Sequence, residues 1–143
     1  MDDIARFYST NPIPQAFVFG GLEPIDTFDD LYTTIMIIRE ICMDDIVIYT
    51  GYYPTEIKSQ LKCLSYIKGG QNIIVKFGRF IPNRPSRFDK ILGVELASNN
   101  QFAVHLGDLE WEKLEPYLYR LEVYYKTMPP EDIKALEEKF NGN

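Results

Sequence analysis

The sequence predicts an α/β domain with a short, mainly parallel sheet, flanking helices and further helices at the C-terminus. Three observations carry that expectation. Short apolar runs end in turns that contain glycine or threonine-glycine; stretches with apolar residues at helical spacing separate those runs; and the alternation reads strand, helix, strand, helix, strand. A βαβαβ order of this kind needs crossovers, so its strands lie parallel.

The elements follow in order. Asp2 to Ser9 has helical spacing, with Ile4, Phe7 and Tyr8 on one side, and Asn11-Pro12-Ile13-Pro14 forbids its continuation. Ala16-Phe17-Val18-Phe19 has the form of a strand buried on both faces, stopped by Gly20-Gly21. Thr27 reads as an N-cap, with Asp29 and Asp30 in the first turn ahead of Phe28, Leu31, Ile35, Ile38 and Cys42 at helical spacing. Ile46-Val47-Ile48-Tyr49 is a second strand and Thr50-Gly51-Tyr52-Tyr53 its turn. Pro54 opens a helix through Ile57, Leu61, Leu64 and Ile67 that stops at Gly69-Gly70. Asn72 to Phe77 supplies the third strand. Residues 78–95 read as a loop rich in arginine and proline, and Leu92 to Leu106 holds another short strand. Leu109 to Phe140 reads as two helices: Leu114, Tyr117, Leu118, Leu121 and Tyr125 form one stripe, Pro129-Pro130 breaks it, and Ile133, Leu136 and Phe140 form another.

Composition narrows the function classes. At 143 residues, 45% apolar and 25% charged, the chain has enough apolar content for a core, which excludes disorder. No apolar stretch reaches the roughly 18 residues of a membrane span, and Met1-Asp2-Asp3 is acidic where a signal peptide is basic, so a cytoplasmic setting is expected. The net charge of −6 argues against direct, sequence-independent nucleic-acid binding. The charge is segregated: residues 1–71 carry ten acids and five bases, residues 72–106 two acids and five bases, and residues 107–143 nine acids and five bases. Cys42, Cys63 and His105 are too few for a disulfide framework or a four-ligand soft-metal site, so no metal is expected.

Four segments at the strand ends share a resemblance. Phe17-Val18-Phe19-Gly20-Gly21-Leu22-Glu23-Pro24 resembles the strand and GGxEP loop of the radical SAM activating enzymes, in particular the single-domain anaerobic ribonucleotide reductase activases. Val47-Ile48-Tyr49-Thr50-Gly51-Tyr52 is similar to that family's YTGY strand end, Ile74 to Phe80 to its GRF segment, and Leu96-Ala97-Ser98-Asn99-Asn100-Gln101 to its SxNQ segment. The resemblance spans about residues 13–105, in the family's order, and implies a truncated radical SAM-like partial barrel. It divides the chain into residues 1–106 and an acidic, aromatic helical appendix, residues 107–143, packed on them. It further implies that Gly20, Gly21, Glu23, Gly51, Asn99 and Gln101 are the cofactor-binding positions if S-adenosylmethionine is still bound.

The family's CxxxCxxC segment, whose three thiolates hold a [4Fe–4S] cluster, has no counterpart in the sequence, and only fifteen residues precede the first strand. Reductive cleavage of S-adenosylmethionine needs the cluster's electron, so this chain alone is not expected to generate the radical, and no catalytic residue and no cofactor are assigned.

Each remaining candidate has two readings. The glycine loop with Glu23 receives a ligand amine or makes a tight turn. Arg79, Arg84, Arg87 and Lys90 grip a phosphate or a partner's carboxylates, or form a solvated loop. Asn99, Asn100 and Gln101 are pocket contacts or turn residues. His105 is a packed histidine or a base, and Cys42 and Cys63 are small core residues or ligands. Asp26, Asp29 and Asp30 hold a hard cation or favour a helix N-terminus. The appendix, with Glu110, Trp111, Glu115, Tyr119 and Glu122, is a partner surface or the cover of a sheet edge.

The resulting expectation is a degenerate radical SAM scaffold that binds another protein, as a small regulator or inhibitor of the phage anti-CRISPR type in a bacterial cytoplasm. Its partner would be a host nucleic-acid-binding effector. Two alternatives are a fragment or split form of a [4Fe–4S] activating enzyme, and a cluster-free S-adenosylmethionine or nucleotide sensor.

Overall fold

The computed structural model describes residues 16–67, 72–107 and 109–127, and its architecture is two layers, a four-stranded sheet with helices against one face. The elements are β1 (Ala16–Phe19), α1 (Phe28–Ile41), β2 (Asp45–Tyr49), α2 (Lys58–Ser65), β3 (Ile73–Phe77), β4 (Arg87–Asp89), β5 (Val94–Leu96), β6 (Phe102–Leu106) and α3 (Trp111–Thr127). Short 3₁₀ turns, Pro24–Thr27 and Pro54–Glu56, lead into α1 and α2. The main sheet has the order β1-β2-β3-β6, parallel between the first three strands and antiparallel between β3 and β6. The expected α/β class with a mainly parallel sheet is therefore present.

Helices on one face follow from the strand order. β1, β2 and β3 are adjacent in sequence order, so both crossovers step across the sheet in one direction, and two right-handed steps in one direction leave their helices on the same side. The core shows this: Leu31, Ile35 and Ile38 of α1, Leu61 and Leu64 of α2, and Leu114 and Leu118 of α3 pack on Ile46, Ile48, Ile73, Val75, Phe77, Phe102, Val104 and Leu106. Each such side chain contributes roughly 1.5–3 kcal/mol of burial. The alternate strand positions face away. There Val47, Ile74 and Ala103 form a small second cluster with Leu92, while Val18 is 63% exposed and Tyr49 is exposed.

Several expectations are corrected. Residues 78–95 are not all loop, since β4 and β5 form an antiparallel hairpin with Arg87 opposite Leu96, and the strand expected within Leu92 to Leu106 is two strands, β5 and β6. Thr27 occupies the N-cap position of α1 without capping it; its hydroxyl donates to the Pro24 carbonyl at 3.4 Å. β1 is half exposed: among the described residues no helix covers its second face, since the one-sided crossovers place both helices on the other. Cys42 packs against the core, but Cys63 is exposed on α2. Helix α3 packs on the helical face, its Tyr125 ring stacked 4.9 Å from that of Phe102 on β6, rather than along an edge next to β1. The expected helix over Asp2 to Ser9, the Gly69-Gly70 stop and the second C-terminal stripe, Ile133 to Phe140, lie outside the described residues. Among the described residues no helix is long and apolar enough to cross a membrane.

Candidate functional site

Parallel strands bring their C-terminal ends to one rim, where β1 leads into Gly20-Gly21-Leu22-Glu23, β2 into Thr50-Gly51-Tyr52 and β3 into Gly78-Arg79-Phe80. The antiparallel β6 begins at the same rim, since Phe102 pairs with Phe77, so Ser98 to Gln101 join the set. The four segments singled out in the sequence thus converge.

Glu23 ties two of these loops together. Its Oε1 accepts the Gly51 N–H at 2.8 Å and its Oε2 accepts the Ile25 N–H at 3.1 Å, capping the Pro24–Thr27 turn. A Cβ at Gly51 would stand in ordinary contact with Glu23 Oε1 at 3.6 Å and press on the exposed Arg79 side chain, 3.2 Å from its Cγ. Asp26 accepts the Tyr52 hydroxyl at 2.7 Å, and this bond to a carboxylate, ahead of the charge itself, holds the phenol above its ordinary pKa.

The SxNQ-like segment is committed to the protein itself. Gln101 accepts from Ser98 N–H at 3.2 Å and donates to the Gly78 carbonyl at 3.1 Å. Asn100 donates to the Tyr53 hydroxyl at 2.8 Å and to the Arg79 carbonyl at 2.7 Å, while Asn99 Oδ1 accepts from Arg84 at 3.2 Å. Gly78, at φ +101°, lets this segment pass beneath β3, because a Cβ would meet the Asn100 carbonyl at 3.3 Å. Asn99 and Gln101 are buried, with the Asn99 amide oxygen and both ends of the Gln101 amide used in these bonds.

The four bases of the middle segment separate into two kinds. Arg79 and Lys90 are exposed; Arg79 lies 5.6 Å from the Tyr52 ring centroid and 3.5 Å from Glu56. Arg84 caps α3, donating to the Tyr125 and Lys126 carbonyls at 3.4 and 3.2 Å. Arg87, only 8% exposed, pairs with Asp89 at 2.7 Å, donates to the Gln101 carbonyl and lies over the Tyr125 ring. Arg84 and Arg87 thus act as internal braces, each finding carbonyls or a carboxylate that the sequence does not disclose.

Most of the appendix candidates also have internal contacts. Trp111 is in the core, and Glu122 is buried, accepting from Thr55 N–H at 2.9 Å and from its hydroxyl at 2.7 Å. Glu115 accepts the Tyr119 hydroxyl at 3.1 Å and pairs with Lys58 at 3.5 Å. The Tyr119 contact, ahead of Glu115, raises the Lys58 pKa. Glu110 is exposed, its carbonyl accepting from the first turn of α3.

Exposed at the rim are Leu22, at 94%, and Phe80, at 55%, the latter between exposed Arg79 and Ile81 in the sequence. Among the described residues no group of three or more His, Cys, Asp or Glu is placed to hold a metal. His105 is half-buried on the helix-free face, opposite Ile74. Lys76 belongs to the rim but was not singled out in the sequence; the signal was a lysine within the otherwise apolar run Ile73-Ile74-Val75-Lys76-Phe77. No family model, no curated protein and no solved structure matches this chain.

Proposed function

We propose that this chain is a truncated relative of the radical SAM activating enzymes that performs no radical chemistry on its own and acts by binding another protein, as a small regulator or inhibitor of the anti-CRISPR type. The carrying observation is the contrast at the strand-end rim. The polar groups that the resemblance assigns to the cofactor are spent on internal bonds, Glu23 on two backbone N–H groups and Asn99 and Gln101 on their neighbours. The apolar groups of the same rim, Leu22 and Phe80, stand in solvent with Arg79 between the loops. Exposed apolar and arginine side chains grouped on loops form the kind of surface that protein partners bury. The docking surface in this reading is the rim, with Arg79 kept from the sequence-based set, and not the α3 residues that the fold consumes.

The test is a comparison of the wild type with a Leu22→Asp/Phe80→Asp variant and with Glu110→Ala as a surface control. Capture from a host lysate, read by mass spectrometry, is expected to return a partner with the wild type and the control but not with the rim variant. Retention of the same partner by the rim variant overturns the reading. Anaerobic iron–sulfur reconstitution that yields a coloured protein would favour a split activase instead. Heat on titration with S-adenosylmethionine, lost in Glu23→Ala, would favour a sensor.

A further inference from the structure

The parallel ladder decides which backbone groups β1 leaves unused. Successive residues of a strand aim their N–H and C=O at alternate neighbours. Thr50, directly after β2, donates its N–H to the Lys76 carbonyl of β3, so Ile46 and Ile48 also turn to β3, while Val47 and Tyr49 turn to β1. With Val18 opposite Val47 in the register, the β1 groups that meet Val47 and Tyr49 belong to Phe17 and Phe19. Ala16 and Val18 therefore aim their N–H and C=O away from the sheet, and among the described residues no strand stands beside them. Both are exposed, Val18 at 63%, and the strand carries no charge and no proline. The opposite edge differs, because Asp89 and Arg87 bond the Ala103 N–H and the Gln101 carbonyl there.

Acids surround the open edge. Residues 16–57 contain eight acidic side chains and one base, Arg39, which is only 8% exposed. Asp45 is exposed opposite Ala16 at the start of β1. Beyond the end of β1, Asp26, Asp29 and Asp30 are exposed around the 3₁₀ turn and the first turn of α1.

We infer that the β1 edge is a docking site for an extended basic segment of another protein, which adds to the sheet as a further strand. Ala16 and Val18 supply main-chain bonds, and the acids at both ends of β1 attract the segment's lysine and arginine side chains. The same acids argue against a second copy of this chain, since pairing β1 with itself brings two acidic surrounds together. The inference rests on the reading that the chain acts by binding a protein, and adds the partner's chemistry and a surface separate from Arg79 and Phe80.

The experiment follows amide hydrogen exchange of the full chain by nuclear magnetic resonance. The chain is studied alone and with capped synthetic octapeptides, one alternating lysine and valine, the other glutamate and valine. In the free chain the Val18 amide is expected to exchange about tenfold faster than those of Val47 and Val75. The lysine peptide is expected to slow Val18 about tenfold, and the glutamate peptide to leave it unchanged. Slowing by both peptides alike, or by neither, overturns the inference. Slow exchange of Val18 in the free chain also overturns it, assigning the edge to a second copy if it grows with protein concentration and to another part of this chain if it does not. Val18→Lys, with folding checked by circular dichroism, is expected to weaken the lysine peptide about fivefold by setting like charges across the new pair, and unchanged affinity overturns the placement at β1. Asp29→Asn/Asp30→Asn/Asp45→Asn is expected to weaken it about tenfold, and unchanged affinity overturns the part given to the acids. These peptides carry no host sequence, so their failure overturns the strand-edge inference alone, and the protein-binding reading is judged separately by the lysate capture.

Discussion

At its β6 edge the main sheet ends on a buried ion pair, whereas at its β1 edge it ends on Ala16-Phe17-Val18-Phe19, a strand with neither charge nor proline. Among the described residues the two edges pose the same problem, a row of backbone groups with no further strand beside them. Along β6 the problem is met by side chains. Asp89 Oδ2 accepts the Ala103 N–H at 3.1 Å, and Arg87 donates to the Gln101 carbonyl through Nε at 3.3 Å and Nη2 at 3.2 Å. The pair, 2.7 Å apart, imitates the donor and acceptor of an absent strand, and Tyr125 of α3 covers the guanidinium. The lesson is that these two charges are edge elements first. A buried ion pair is weak grounds for stability by itself, but here each partner also satisfies a backbone group that would otherwise be orphaned.

The largest effect is expected from breaking that device on one side. Asp89→Ala removes the carboxylate that pairs with the buried Arg87 guanidinium and, with it, the acceptors of the Ala103 and Leu92 N–H groups, so a loss of about 3–5 kcal/mol is expected in urea denaturation. A loss below about 1 kcal/mol would show that solvent reaches the edge and replaces the carboxylate.

A second variant separates the pair from the edge. In Arg87→Met/Asp89→Leu both charges go, a change that is often neutral or stabilising for an isolated buried pair. Here the Ala103 N–H and Gln101 carbonyl lose their partners, so the double variant is still expected to be less stable, by about 2 kcal/mol. Stability equal to the wild type in the same denaturation series would mean that the pair does not serve the edge.

The contrast also explains what was legible in the sequence. β1, β2, β3 and the helices between them were readable because each is an uninterrupted apolar run or a clear helical stripe, and one-dimensional periodicity suffices for both. β4 and β5 were not: Arg87-Phe88-Asp89 is three residues long, places two charges inward and one aromatic outward, and so inverts the usual strand pattern. The convergence of Glu23, Gly51 and Gly78 at one rim was expected from parallel strands, whereas Gln101 was grouped with them only by the resemblance and reaches the rim through the antiparallel β6. The consumption of Arg84, Arg87 and Glu122 by internal partners 14 to 67 residues distant was not expected, since pairing at that separation is a property of the packed chain.

The smallest effect is expected at the other edge. Val18 is 63% exposed on the outer face of β1, opposite Val47 in the register, and contributes little burial. Val18→Lys adds the charge that edge strands commonly carry, and lysine's alkyl stem still covers part of the strand. The expected change is within about 0.5 kcal/mol in the same denaturation experiment. A loss above about 1.5 kcal/mol would mean that the β1 side is held by apolar packing. The two edges would then differ in the chemistry of their cover and not in whether they are covered.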